Sequence, residues 1–184
     1  MAFTHLHVHT EYSLLDGSNK IKEYVRRVKE LGMDSAAITD HGVMYGVIDF
    51  YKACRAEGIR PILGCEVYVA PNSRFDKELT GGDDRYYHLV LLAENNTGYN
   101  NLTRIVSRGF TEGYYYKPRV DMELLQEFHE GIIALSACLA GEVQRYITKG
   151  LYDEAKKTAL KYQACFGKGN YFLELQDHGL PEQK

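Results

Sequence analysis

The chain has 184 residues, enough for one domain with a substantial core, and its net charge of −3 argues against indiscriminate, charge-driven binding of nucleic acid while leaving room for a local basic cleft. No apolar run approaches membrane-spanning length, and the first residues lack the basic and apolar regions of a signal peptide, so a cytoplasmic chain with no membrane contact is expected. Cys54, Cys65, Cys138 and Cys165 form no CxxC pair, which argues against zinc ribbons, redox dithiols and a disulfide framework.

The first predicted element is a strand over Phe3–His9, in which His5, His7 and His9 alternate and so project from one face. Imidazoles two residues apart at a strand end form a ready chelate for a transition metal. His5 lies deeper in that strand and is expected in the core or behind the ligands. Ile21, Tyr24, Val25, Val28 and Leu31 then recur at helical spacing, with Ser18 or Asn19 as the cap and Gly32 as the stop. A strand over Ser35–Thr39 leads into Asp40 and His41, where Asp40 is placed to orient His41 or another ligand. Val47, Phe50, Tyr51 and Cys54 mark a helix that stops near Gly58, with Cys54 in the core.

The next strand, Arg60–Val69, carries Glu66, and Tyr87–Ala93 carries His88 near its start. Leu102, Ile105 and Val106 mark a helix, and Asp121 caps a short one bearing Met122, Leu125 and Phe128. A strand over Gly131–Ser136 precedes Cys138. His129, in the polar turn before it, is expected to be exposed. Val143, Tyr146 and Ile147 form a short apolar stripe. The last helix presents Tyr152, Ala155, Ala159, Tyr162 and Phe166, with Cys165 in the core, and Gly167 ends it before a strand over Tyr171–Leu175.

This alternation of strands and helices predicts a parallel sheet covered by helices, either doubly wound or closed as a (β/α) barrel. Metal-competent side chains gather at or just beyond strand ends: His7, His9, Asp16, His41, Glu66 and Cys138, with His88 early in its strand. The C-terminal ends of barrel strands are where βα loops assemble active sites. Long connections at Pro71–Arg85 and Gly109–Val120 exceed ordinary βα loops. The second interleaves aromatic and basic residues, so Tyr115 can stack on a base while Lys117 and Arg119 meet phosphates; the same loop also suits packing over the mouth of the sheet.

His7-Val8-His9, Thr39-Asp40-His41-Gly42, Gly64-Cys65-Glu66 and Ser136-Ala137-Cys138-Leu139-Ala140-Gly141-Glu142 together resemble the motifs of the polymerase-and-histidinol-phosphatase (PHP) family. The stretch from His5 through Gly17 and the closing Leu173-Glu174-Leu175-Gln176-Asp177-His178-Gly179 resemble, more narrowly, the branch at the N-terminus of bacterial DNA polymerase III alpha subunits. The resemblance runs over essentially the whole chain. It implies an α/β fold, a distorted (β/α)7 barrel of the PHP type, holding up to three divalent metals (Zn, Mn or Fe). By motif, His7, His9 and Glu66 resemble ligands of the first metal, while Glu66, His88 and Cys138 resemble those of the second, with Glu66 bridging. Asp16 and His41 resemble ligands of the third. The family pattern closes with an Asp and a His on a last strand, for which Asp177 and His178 stand too early. Residues 1–184 therefore read as one PHP domain, C-terminally truncated with about six of seven strands, and without palm, thumb or fingers.

The implied chemistry is metal-dependent phosphoester hydrolysis, as a 3′–5′ exonuclease acting on a single-stranded DNA 3′ end. Glu66, His7 and His9 would act catalytically through water activated on the metals. The implied partners are the rest of the polymerase alpha subunit and a replisome proofreading subunit. Two rival readings are a free-standing phosphatase for a small monoester such as histidinol phosphate, and a non-catalytic scaffold of the polymerase. Glu174 reads equally well as pointing into the barrel or as a packed, hydrogen-bonded carboxylate.

Overall fold

The structure, a computed structural model, describes residues 3–78 and 85–183. The long connection at Pro71–Arg85 therefore lies partly outside the described residues.

The centre of the fold is β2, Arg60–Val69, whose ten residues give it more than one neighbour on a single edge. Along its first half it pairs in parallel with β1, Ser35–Ile38, from Ser35 opposite Arg60 to Ile38 opposite Leu63. At its far end it pairs in parallel with β5, Lys117–Val120, at Tyr68 and Val69. The two-residue β4, Tyr114–Tyr115, turns back on β5 through Tyr116, whose φ is +61°. On the opposite edge β2 meets β3, Tyr87–Ala93, followed outward by β6, Ile132–Leu135, and β7, Tyr171–Phe172.

The sheet is mixed rather than parallel throughout. β3 runs antiparallel to both β2 and β6, while β6 and β7 are parallel. Val69 lies opposite Tyr87, so β2 ends and β3 begins at the same end of the sheet, as in a hairpin.

Period-two alternation sorts the side chains of the inner strands. Cys65, Val67 and Val69 of β2, Leu89 and Leu91 of β3, and Ile132 and Ala134 of β6 face the main core. There they meet Leu102 and Ile105 of α3 (Asn96–Thr111), Leu124 and Leu125 of α4 (Met122–Glu127), and Tyr162 and Phe166 of α6 (Tyr152–Phe166). A second core packs α1 (Ile21–Glu30) and α2 (Val47–Glu57) against Ala36 and Ile38 of β1. The opposite face of the inner strands carries Val90, Leu92 and Leu135 as a small apolar cluster, and beyond it Glu66 and His88. Cys54 and Cys165 are buried as expected, and burial pushes their thiols up to about 12 and about 11.

Several expected elements differ. The segment Phe3–His9 does not join the sheet as a strand. Thr39 N–H donates to the Val8 carbonyl at 2.8 Å, but Val8 N–H donates to the Thr39 hydroxyl at 2.7 Å, so a side chain takes the place of a ladder bond. The last strand is shorter than the expected Tyr171–Leu175. α1 begins after Lys20 without a side-chain cap from Ser18 or Asn19; Ile21 N–H finds the Glu11 carboxylate at 3.3 Å instead. Asp121 does cap α4, accepting from Leu124 N–H at 3.0 Å. Among the described residues no helix is long and apolar enough to cross a membrane.

Candidate metal centre

Glu66 sits where the edge of β2 passes from β1 to β5, and His41 fills the gap between those two neighbours. Glu66 N–H donates to the Asp40 carbonyl at 3.1 Å, and Gly42 N–H donates to the Glu66 carbonyl at 2.9 Å. Gly42 has φ +66°, and a Cβ there would lie 2.8 Å from the Tyr68 ring, so the residue after His41 is required to be small and left-handed. Glu66 is fully buried, at 0% exposure.

Around this carboxylate five further expected ligands converge. His7 Nε2 lies 3.2 Å from Oε1, His9 Nε2 3.5 Å from Oε2, His41 Nδ1 2.5 Å from Oε2, and His88 Nδ1 3.0 Å from Oε1. Cys138 Sγ is 3.9 Å from Oε1 and 3.6 Å from His88 Nδ1. Its loop is held by His88 N–H donating to the Ala140 carbonyl at 3.0 Å and by Gly141 N–H donating to the Cys138 carbonyl at 2.8 Å. Asp16 joins through His41, with Oδ2 2.7 Å from Nε2.

Asp40 reaches none of these rings. Its carboxylate, 1% exposed, accepts from Thr10 N–H, the Thr10 hydroxyl at 2.7 Å and the Ser13 hydroxyl at 2.6 Å. It therefore ties down the loop that carries Asp16, and the Ser13 hydroxyl in turn accepts from His41 N–H at 3.1 Å. Gly17 closes that loop, because a Cβ there would fall 1.8 Å from the Thr10 carbonyl oxygen.

The Glu66 carboxyl and the imidazoles around it shift one another's titration. Burial raises the pKa of Glu66, but the close imidazoles of His41, His7 and His88 outweigh it and hold the carboxyl well below the usual range. Burial lowers His7, yet Glu174 and Glu66 bring it up to about 10; His88, likewise desolvated, reaches about 9 beside Cys138 and Glu66. His41 is raised by Glu66 and Asp16 against its burial. His9 is lowered by burial and by the neighbouring His41.

The donor set fits a divalent metal. His7 Nε2, His9 Nδ1, His41 Nδ1 and Glu66 Oε2 are buried without an aligned hydrogen-bond partner. Leaving one such group unanswered costs about 1–3 kcal/mol, and here several occur together. Ligand atoms of His7, His9 and Glu66, and of His41, Glu66 and His88, lie within 4.8 Å of one another in each group. Imidazole, carboxylate and thiolate together suit zinc, manganese or iron.

Other expected residues are placed differently. His5 is exposed, its ring edge-on to Phe3 at 4.8 Å, because its segment is not a strand buried in the sheet. Arg119 is 4% exposed and donates to the carbonyls of Gly113, Arg74 and Asp76, so its guanidinium is spent inside the protein rather than offered to phosphate. Tyr115 is half-buried beneath it. Lys117 is exposed, with Nζ 5.4 Å from the centre of the Tyr68 ring. Asp177 and His178 are exposed and bonded locally, to Gly179 and Gln183. His129 is exposed as expected.

Sequence reasoning missed the tyrosines against the cluster. Tyr68 faces His41 at 6.1 Å and His88 at 5.3 Å, and Tyr86 stacks on His88 at 6.0 Å. The signal was available for Tyr68, two residues after Glu66 on the same strand face. Glu174 resolves in favour of a hydrogen-bonded carboxylate, with Oε1 2.8 Å from His7 Nδ1.

The comparisons with known proteins agree with this geometry. The chain is 54% identical over 184 residues to DNA polymerase III subunit alpha of Treponema pallidum, covering 100% of this chain and 16% of that protein. It is 50% identical over 189 residues to the subunit of the same name from Deinococcus radiodurans, covering 99% of this chain and 14% of that protein. The chain thus spans about one sixth of the length of these curated relatives. Among solved structures, a candidate metal-dependent phosphoesterase from Bifidobacterium adolescentis superposes with a TM-score of 0.57 at 16% identity, covering 98% of this chain and 79% of that one. An amidohydrolase from Chromobacterium violaceum gives a TM-score of 0.57 at 15% identity, over 94% of this chain and 76% of that one. Residues 5–178 match the family described as PHP domain, and the chain belongs to that family.

Proposed function

We propose that this chain is the N-terminal PHP domain of a bacterial DNA polymerase III alpha subunit, and that its centre hydrolyses phosphodiesters at the 3′ end of single-stranded DNA during proofreading. The observation that carries the reading is the convergence of His7, His9, His41, His88 and Cys138 on the buried Glu66 carboxylate. The names of its relatives supply the context of a polymerase alpha subunit. The partners are accordingly the rest of that subunit, a replisome proofreading subunit and DNA, in the cytoplasm.

Glu66, His7, His9, Asp16, His41, His88 and Cys138 would hold up to three divalent metals, with zinc, manganese and iron all compatible with the donors. Bound there, such metals polarise a phosphoryl oxygen and activate water. The protein's own part is positional. Glu66, fixed through its backbone between Asp40 and Gly42, holds one carboxylate in common to the surrounding imidazoles. Asp40 sets the Asp16 loop, and the Tyr68 and Tyr86 rings wall one side of His88. Lys117, above Tyr68, is an exposed cation available to an approaching phosphate, and Tyr116, 62% exposed, offers a ring for base stacking.

The test is turnover of a 3′-labelled single-stranded oligonucleotide against histidinol phosphate, after chelation and after re-addition of zinc, manganese or iron. Metal-restored shortening of the oligonucleotide from its 3′ end supports the proposal. Turnover of the monoester alone favours the free-standing phosphatase, and no turnover of either by a metal-loaded chain favours the scaffold.

A further inference from the structure

We infer that Glu174 is a positioning residue of the metal centre, fixing His7 so that Nε2 presents its lone pair toward Glu66. The inference rests on the metal-centre reading above and extends it to a residue outside the ligand set.

Glu174 Oε1 lies 2.8 Å from His7 Nδ1, across 167 residues of sequence, and both side chains are largely withdrawn from water at 14% and 10% exposure. A carboxylate only accepts, so the ring proton belongs on Nδ1. The opposite nitrogen, Nε2, then faces Glu66 Oε1 at 3.2 Å with no aligned hydrogen bond. A lone pair and a carboxylate repel at that distance unless a proton or a metal cation stands between them. A carboxylate behind a histidine, with a shared ligand in front, is the arrangement that orients and strengthens a metal-binding imidazole.

The carboxylate is itself held in place. Gln176 Nε2 donates to Glu174 Oε1 at 2.7 Å and lies 3.2 Å from His7 Nδ1, while Glu174 N–H donates to the Ser136 hydroxyl at 2.9 Å. Gln144 Nε2 also donates to that hydroxyl, at 2.7 Å. Ser136 stands two residues before Cys138, so one short segment after β6 anchors both the carboxylate behind His7 and the thiol beside His88.

Cobalt(II) titration of the chain separates a positioning role from a merely structural one, because a thiolate-to-cobalt charge-transfer band reports Cys138 alone. Glu174→Ala is expected to weaken the cobalt site that includes His7 by about 10–100-fold while the Cys138 band saturates at an unchanged cobalt concentration. Glu174→Gln, which keeps an acceptor oxygen at the same place, is expected to recover most of that loss. In a His7→Ala background, Glu174→Ala should add nothing. Wild-type affinity in Glu174→Ala, equal weakening of the Cys138 band, or additivity with His7→Ala would each overturn the inference alone. Absence of cobalt uptake by the wild type would overturn the metal-centre reading and this inference with it.

Discussion

Among the acidic residues out of reach of water, Asp121 at 2% exposure and Glu66 at 0% are held in opposite ways. Both oxygens of Asp121 are answered: Arg74 donates its backbone N–H at 2.8 Å and its guanidinium at 2.8 and 3.0 Å, and Leu124 N–H completes the helix cap at 3.0 Å. Glu112 takes the other side of the same guanidinium at 2.6 Å. Glu66 is surrounded by imidazoles instead, and its Oε2 has no aligned donor. A guanidinium is a permanent cation with donors in fixed directions, whereas an imidazole is a cation or a lone-pair ligand according to its proton. The Arg74 knot is therefore complete with protein atoms alone. The Glu66 cluster depends instead on imidazoles that can give up their protons, and the ligand atoms of His7, His9, His41 and His88 are gathered around Glu66 as a divalent cation would need them.

Removing each carboxylate should produce opposite phenotypes, and this is the largest effect expected. Glu66→Ala opens more than one coordination group at once, so metal content by elemental analysis should fall further than in His7→Ala, His9→Ala or His88→Ala. Nuclease activity should fall by more than the roughly 10–100-fold typical of changes behind the ligands. Asp121→Ala should leave metal content per folded chain unchanged but cost about 1–3 kcal/mol, because it takes one carboxylate from the buried Arg74 guanidinium, which keeps Glu112, and removes the α4 cap; thermal melting measures this. Equal metal content in Glu66→Ala and His88→Ala would remove the bridging role. Loss of metal in folded Asp121→Ala would erase the distinction between the two clusters.

The clusters should also separate by pH. His7 and His88 are raised from 6.5 to about 10 and about 9, so in metal-stripped protein their protonation favours the folded state. That stabilisation is fully present below pH 6.5 and is lost as pH rises through about 9 to 10. The Glu66 carboxyl has the opposite sign: its depressed pKa stabilises the fold above about pH 4.5 and the contribution fades toward acid. Metal must displace the histidine protons, so its affinity should climb between pH 6.5 and 9, with protons released on binding. Melting temperatures of chelated and metal-loaded chain across this range check both statements. Parallel curves would mean that metal and protons do not compete for these imidazoles.

How far the sequence made this legible depends on the distance over which each residue is determined. Glu66 and His88 were readable because an apolar strand is a local pattern, and the β2 and β3 boundaries match the apolar runs that contain them. Asp121 was readable as a cap for the same reason. The Phe3–His9 segment misled because its alternating pattern fits a strand, while its tie to Thr39 depends on a hydroxyl thirty-one residues away. The antiparallel course of β3 depends on a connection whose direction no periodicity encodes. Glu174 behind His7 and the three carbonyls around Arg119 are convergences of distant chain, visible only once the fold brings them together.

The basic residues of the Gly113–Arg119 loop repeat the contrast on a smaller scale, and they carry the smallest effect expected. Arg119 is enclosed, with its donors committed to the carbonyls of Gly113, Arg74 and Asp76; Lys117, two residues earlier, is exposed over the Tyr68 ring beside His41 and His88. Arg119→Ala should therefore lower the melting temperature without altering oligonucleotide affinity per folded chain. Lys117→Ala should do the reverse. Loss of one phosphate contact should weaken single-stranded DNA binding a few-fold and reduce the slope of log affinity against log salt by about 0.7. Fluorescence anisotropy with a labelled oligonucleotide at several salt concentrations measures both quantities. An unchanged salt slope in Lys117→Ala would place the phosphate path elsewhere on the rim, with Arg85, whose guanidinium lies 5.2 Å from the Tyr116 ring centre, as the next cation to remove.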